Sequence, residues 1–336
     1  SFQFDYYRGN DNRLAQINSM FRTIDLTSMT LAPLTAGLVF DLGSTSAAAI
    51  FLAVWNIVSV IFEYLLLKSI YDEYPQLSHK KSLEDQSEEV EEIKNCCNPF
   101  SRFTEAFQSW TLYMNFPIRN AGLGLACLYM TVLGFDNITY GYCVHQCVRE
   151  SLLGGLIGIS ALNGVFASLS FPFLRRSLGL EKTGLLGFIC LIVALSLCVA
   201  SIWSSGSPFD PYYLNTNPGL SLATRAIENC YSTSYSTSVV MLMSGIIAGK
   251  FGLWLSDLTV TQILQETVPE EHRGTIGGGQ NGLNSAMDTV KFILVIGLPN
   301  QETFGWLILA SFVCTCTGFV SFASYAWKSR RNYKPM

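Results

Sequence analysis

Charge is missing from long stretches of this sequence, and that absence constrains the fold more than any motif. Segments 151–174, 183–209, 229–249 and 303–327 contain no Asp, Glu, Lys or Arg. Each is long enough to cross a bilayer, which takes about 20 helical residues. Over 336 residues only 14% are charged and 49% are hydrophobic, with a mean hydropathy of +0.31. Soluble domains carry about 25% charged residues, so a soluble enzyme with an ordinary charged surface is excluded. The net charge of −4 comes with no basic stripe interleaved with aromatics, which sets nucleic-acid binding aside. The ten cysteines lie mostly in apolar runs and lack the paired spacing of a zinc ribbon.

Eight hydrophobic segments are read along the chain, near 26–41, 46–67, 113–147, 151–173, 183–204, 237–262, 274–298 and 303–327. The fold class expected is therefore an all-α membrane bundle. The third segment is unusual, because from 120 to 148 the only charge is Asp136, flanked by Gly134 and Gly141. As one straight helix this stretch would measure about 43 Å at 1.5 Å per residue, against a hydrocarbon core of about 30 Å. A helix interrupted near Asp136 is expected, with a long tilted helix as the alternative. Lys and Arg concentrate on one side if the N-terminus is inside, which places both termini in the cytosol. The acidic run SLEDQSEEVEEIK lies in a polar segment that divides the chain. The expected organisation is a partial first lobe of two spans at 1–71, an acidic cytoplasmic linker at 72–107, a second lobe of six spans at 108–328, and a cytoplasmic tail at 329–336. In that linker Cys96 and Cys97 are either palmitoylated or plain reduced thiols. Six spans after a central linker look like the second half of a twelve-span transporter, and on that reading four further spans are expected upstream.

Ionisable groups inside spans cost about 2.5–3.5 kcal/mol each at a helix centre, so each demands a role. Asp288 and Lys291 are three apart and share a helix face; they form a structural ion pair or a cation-sensitive switch. Asp136 has no partner within four residues and, beside glycines, is a candidate cation ligand. Arg22, Asp25 and Asp257 fall near inner helix ends and Arg273 opens the next span, a pattern that fits ion pairs closing the inner side of a transporter. Glu63 and Lys250 are expected to be solvated, snorkelling or paired. Cys143, His145 and Cys147 are soft-metal ligand types, but in a helix His145 points away from the other two; a disulfide to Cys230 or free thiols are the alternatives. Gly277, Gly278 and Gly279 are expected to permit close helix packing. The sequon Asn137-Ile138-Thr139 lies at membrane depth. No nucleophile, acid–base pair or nucleotide loop appears, so an enzyme is not expected.

Several runs resemble one family. LYMTVLGFDNITYGY (128–142), RLAQINSMFRTIDLTSMTLAPLTAG (13–37), WNIVSVIFEYLLL (55–67), LRRSLGLEKTGL (174–185) and GLWLSDLTVTQILQETVPEEHRGTIGGGQNGLNSAMD (252–288) are similar to segments of the ferroportin family, iron exporters of the major facilitator superfamily. The resemblance implies a two-lobe, twelve-span fold, of which this chain looks like spans five to twelve. It implies export of Fe²⁺ by alternating access, with no bound cofactor and with Co²⁺, Zn²⁺ and Ni²⁺ as other cargoes. Asn56 matches the first-lobe metal site. Asp136, Asn137, Asp288 and Lys291 fall on the second-lobe pathway, and Arg22, Asp25, Asp257 and Arg273 on the inner gate. Two positions depart from the vertebrate pattern: Asn137 replaces a cysteine and Lys291 a histidine. A protonated lysine cannot ligate a metal, and without the cysteine vertebrate-type binding of the peptide hormone hepcidin is not expected. Other readings are a carrier for another divalent metal or an organic cation, and a non-transporting truncated isoform. The expected location is the plasma membrane.

Overall fold

The computed structural model describes residues 11–42, 45–73, 110–134, 137–146, 148–213 and 236–332. Asp136, Cys96, Cys97, Cys147, Cys230, nearly all of the acidic linker and residues 214–235 lie outside the described residues, as does the side chain of Asn137. Among the described residues the regular elements are helices: α1 (Asp11–Leu42), α2 (Thr45–Glu73), α3 (Arg119–Tyr129), α4 (Asn137–His145), α5 (Glu150–Leu178), α6 (Leu180–Ser201), α7 (Thr237–Thr267), α8 (Glu270–Gly297) and α9 (Phe304–Asn332), with one 3-10 turn at Gln301–Thr303. Five stretches are long and apolar enough to cross a membrane: Ala49–Glu73, Leu152–Leu178, Leu180–Ser201, Thr237–Thr267 and Gln301–Ser329. The protein is an all-helical membrane bundle. α8 falls outside that set because its first two thirds, EEHRGTIGGGQNGLNSAMD, are polar. Part of that polarity is turned inward, where Gln280 and Asn284 are buried.

The chain forms two compact units, 1–6 with 27–111, and 7–26 with 112–336. In the first unit, α2 is mostly apolar and nearly all of its described side chains are exposed, as on a lipid-facing helix.

The second unit is built on helix crossings that admit no side chain between backbones. A Cβ on Gly252 of α7 would lie 2.5 Å from the carbonyl oxygen of Gly187 and 2.5 Å from the amide nitrogen of Leu191, both on α6. At the crossing of α3 and α9, a Cβ on Gly124 would lie 2.9 Å from the carbonyl oxygen of Gly318. In lipid, where apolar association between helices gains little, such close backbone approach and dispersion packing hold helices together. Phe188 and Phe322 stack between α6 and α9 at 5.2 Å, within a core that includes Leu125, Leu195 and Ile263. The close-packing role expected for the glycine triplet holds at one position among the described residues: a Cβ on Gly279 would meet Tyr113 at 3.4 Å, whereas Gly277 and Gly278 have nothing within 4 Å. Their faces of α8 have no packed neighbour among the described atoms.

α3 stops at Tyr129 and helix resumes at Asn137. Backbone groups freed by such a gap must find partners inside the protein. The amide of Val132 donates to Ser311 Oγ on α9 at 3.0 Å, and the Thr139 hydroxyl donates back to the carbonyl of Val132 at 2.8 Å. Leu133 N–H reaches Thr131 Oγ1 at 3.2 Å. Three hydroxyl side chains thus carry the irregular turn.

Candidate functional site

The N-terminal half of α1 carries the most connected polar cluster. Leu14, Ala15, Asn18, Ser19, Arg22 and Leu26 recur at spacings of one, three and four, which places them on one side of the helix. All except Arg22 are buried, and the Arg22 side chain is 24% exposed.

Arg22 is a three-way junction. Nη2 donates to Asp257 Oδ2 on α7, Nη1 donates to Asp25 Oδ2 at 3.2 Å, and the guanidinium lies over the Trp254 ring at 4.6 Å. The Asp257 side chain is 7% exposed and that of Asp25 is 52% exposed. The pair with Asp257 is therefore the desolvated one and the pair with Asp25 is a solvated flank. Trp254 is seated against α5: a Cβ on Gly164 would lie 2.7 Å from its Cδ1. Around this junction runs a seam of neutral hydrogen bonds. Ser19 Oγ donates to the carbonyl of Ser168 at 2.5 Å and Ser168 Oγ donates to the carbonyl of Ser19 at 2.8 Å, a reciprocal lock between α1 and α5. Thr23 Oγ1 joins Ser168 Oγ at 3.1 Å, and Asn18 Nδ2 donates to Gln265 Oε1 on α7 at 2.6 Å. Arg175 Nη2 on α5 pairs with Glu266 of α7 at 2.7 Å, and Gln262 Nε2 donates to the same carboxylate at 2.6 Å. The seam joins α1 to both α5 and α7 through polar contacts, which separate at less cost than a packed apolar core because water can replace each partner.

Of the sequence-predicted residues, the structure brings Arg22, Asp25 and Asp257 together. Arg273 donates through Nε to the carbonyl of Val268 at 3.0 Å. Lys291 Nζ donates to Asp288 Oδ1 at 2.5 Å and lies 4.8 Å from the Phe292 ring centroid. Lys291 is 8% exposed, so its ammonium is an internal cation. Asn56, in the first unit, is exposed and donates to the carbonyl of Leu52 at 2.8 Å, within its own helix. Lys250 Nζ lies 3.7 Å from where a Cβ on Gly134 would stand, beside the gap between α3 and α4. Cys143 is a buried free thiol and His145 is exposed at the end of α4. Among the described residues no three His, Cys, Asp or Glu side chains cluster as a metal site.

The sequence reading missed Asn18, Ser19, Thr23, Ser168, Gln265 and the Arg175–Glu266 pair. One signal was present: Asn18 and Arg22 are four apart and therefore neighbours on α1. It also missed the buried network on α8, where Tyr113 Oη donates to Gln280 Oε1 at 2.7 Å and Gln280 Nε2 reaches both the carbonyl of Gly122 and Asn284 Oδ1.

Comparison with known proteins follows the same lines. Residues 8–315 match the family described as Ferroportin1 (FPN1). Mouse ferroportin is 34% identical over 386 aligned positions, covering 96% of this chain and 67% of the relative. Human ferroportin is 33% identical with the same coverage. The chain thus spans about two thirds of the length of these relatives. Among solved structures, a bacterial homologue of the iron transporter ferroportin, in an outward-facing state with soaked iron, aligns with a TM-score of 0.67 at 21% identity, over 94% of this chain and 64% of that one. At that identity the likeness speaks for the fold.

Proposed function

This chain belongs to the ferroportin family, and from that premise we propose that it exports Fe²⁺ from the cytosol by alternating access. The family places it among membrane transporters and not among enzymes. One observation carries the reading: the junction at Arg22, where α1 is held to α7 by a desolvated ion pair and to α5 by neutral hydrogen bonds. Such a seam fits an inner gate in its closed state. Opening it exposes Arg22, Asp257 and the seam hydroxyls to water, which compensates the broken contacts. Asp25 and Arg273 are assigned to the rim of the same gate.

The metal pathway proposed for the second lobe runs past Asp136 and Asn137 toward Asp288 and Lys291 on α8. With Lys291 paired to Asp288, a tethered cation takes the place of a bound one. The main binding site is then assigned to the first lobe, where Asn56 supplies an amide oxygen. Both termini are cytosolic on this reading and the membrane is the plasma membrane. Vertebrate-type hepcidin control is absent, because Asn137 offers no thiol.

The test is iron efflux from cells expressing the complete protein and its Asp136→Asn variant at equal surface levels. Efflux from the parent protein is the expected result, and efflux retained in the variant places the metal route in the first lobe. No efflux from the parent protein would refute the proposed export.

A further inference from the structure

Where α3 crosses α9, a sulfur side chain of one helix meets a sulfur side chain of the other. The crossing is tight because Gly124 faces Gly318: a Cβ on Gly318 would lie 2.8 Å from the carbonyl oxygen of Gly124 and 3.1 Å from Cβ of Cys127. Cys127 and Met130 are three apart at the end of α3, and Cys314 precedes Gly318 by four on α9, so all three flank the same contact. Cys314 Sγ donates to Met130 Sδ at 2.8 Å. All three are partly buried, and the gate uses none of them.

We propose that Met130 and Cys314 form a binding site for a soft monovalent cation of the Cu(I) type. Thiolate and thioether sulfur select Cu(I) over hard oxygen-seeking ions, and a thioether brings no charge. Cu(I) with one thiolate is neutral overall, so an apolar span holds it without a buried net charge, whereas a divalent ion would leave a positive one. On binding, Cys314 Sγ–H releases its proton to solvent and the Sγ–Cu bond forms. Met130 Sδ donates a lone pair. Copper stays Cu(I) and no electron is transferred. The ion replaces the proton now shared between Cys314 and Met130. Metal–sulfur bonds of about 2.3 Å, as for zinc, require those two sulfurs to move apart. Met130 caps the C-terminus of α3 and has a flexible side chain, so it takes up the change. Occupation ties the end of α3, and with it the irregular turn at 131–134, to α9. The site is independent of iron transport.

The complete protein, purified reduced and without oxygen, is titrated with Cu(I) against a chromophoric Cu(I) chelator. The parent protein should retain one chelator-resistant equivalent that Met130→Leu and Cys314→Ser lose, while Cys316→Ser keeps it. Met130→Leu is nearly volume-conserving and is expected to fold, so its loss reads the thioether and not unfolding. X-ray absorption at the copper edge should show an all-sulfur shell in the parent. Equal Cu(I) retention by the parent, Met130→Leu and Cys314→Ser, or an equal loss in Cys316→Ser, would overturn the site.

Discussion

Asp257→Asn removes a charge while keeping shape, which makes it the sharpest probe of the seam. Removing one partner of a buried ion pair costs about 3–5 kcal/mol, because the remaining charge stays desolvated. Here the full penalty does not apply. The Arg22 side chain is 24% exposed and keeps Asp25 at 3.2 Å and the Trp254 ring at 4.6 Å. An exposed pair such as Arg22–Asp25 contributes about 0–1 kcal/mol, and a partly desolvated cation–π contact about 0.5–2 kcal/mol. The expected loss is about 2 kcal/mol, or about 30-fold in the balance between closed and open seam, since each 1.4 kcal/mol is tenfold. The assay is the rate at which a membrane-impermeant thiol reagent, applied from the cytosolic side, labels a Ser19→Cys reporter. Ser19 is 4% exposed, so labelling reads seam opening. Adding Asp257→Asn should raise the rate about 30-fold, and adding Asp25→Asn should raise it no more than about fivefold. Equal rates with and without Asp257→Asn would refute the argument that the desolvated pair holds the seam.

Three other outcomes follow from the packing. Gly252→Ala puts a methyl group 2.5 Å from backbone atoms of α6; overpacking of this kind costs about 1–3 kcal/mol, and the thermal midpoint in detergent should fall, while Gly277→Ala, with nothing within 4 Å of the added carbon, should hold or raise it. Ser311→Ala strips the buried Val132 N–H of its acceptor, an expense of about 1–3 kcal/mol; the midpoint should drop again, and Ser324→Ala, whose hydroxyl bonds only its own helix, serves as the control. Lys291→His exchanges an internal ammonium for an imidazole next to Asp288; isothermal titration with Co²⁺ should show one added site, and an unchanged stoichiometry would contradict the idea that Lys291 substitutes for a metal.

The spans were legible because exclusion of charge is a property of the segment: α5, α6, α7 and α9 each contain or overlap a run with no ionised side chain. Arg22, Asp25 and Asp257 were legible as a set because a charge within a span needs a partner. What closes the seam was not. Ser19, Thr23 and Ser168 are small hydroxyl residues of a kind that also bonds its own helix, as Ser170 does to Phe166, so nothing in their spacing separates a lock between helices from a local contact. The support of the gap after α3 was hidden for the same reason, since Ser311 lies within an apolar run and reaches Val132 from 179 positions away. Lys291 and Asp288 announced their pairing by a three-residue spacing, a local relation that the helix enforces. Glycine was legible only in part: the conspicuous triplet at 277–279 packs at one position, whereas the scattered Gly187, Gly252, Gly124 and Gly318 make the close crossings. Their partners lie on other helices, and tertiary pairing is not written in single-helix periodicity.

The central claim is an iron exporter whose inner gate is the Arg22–Asp257 pair. Its most direct test is radiolabelled iron efflux by the complete protein, by Arg22→Asp, and by the exchanged double variant Arg22→Asp/Asp257→Arg, at equal surface levels. The account predicts efflux from the parent, loss in the single variant, and partial recovery when the charges are exchanged. Efflux undiminished in Arg22→Asp, or no recovery in the double variant, would contradict it.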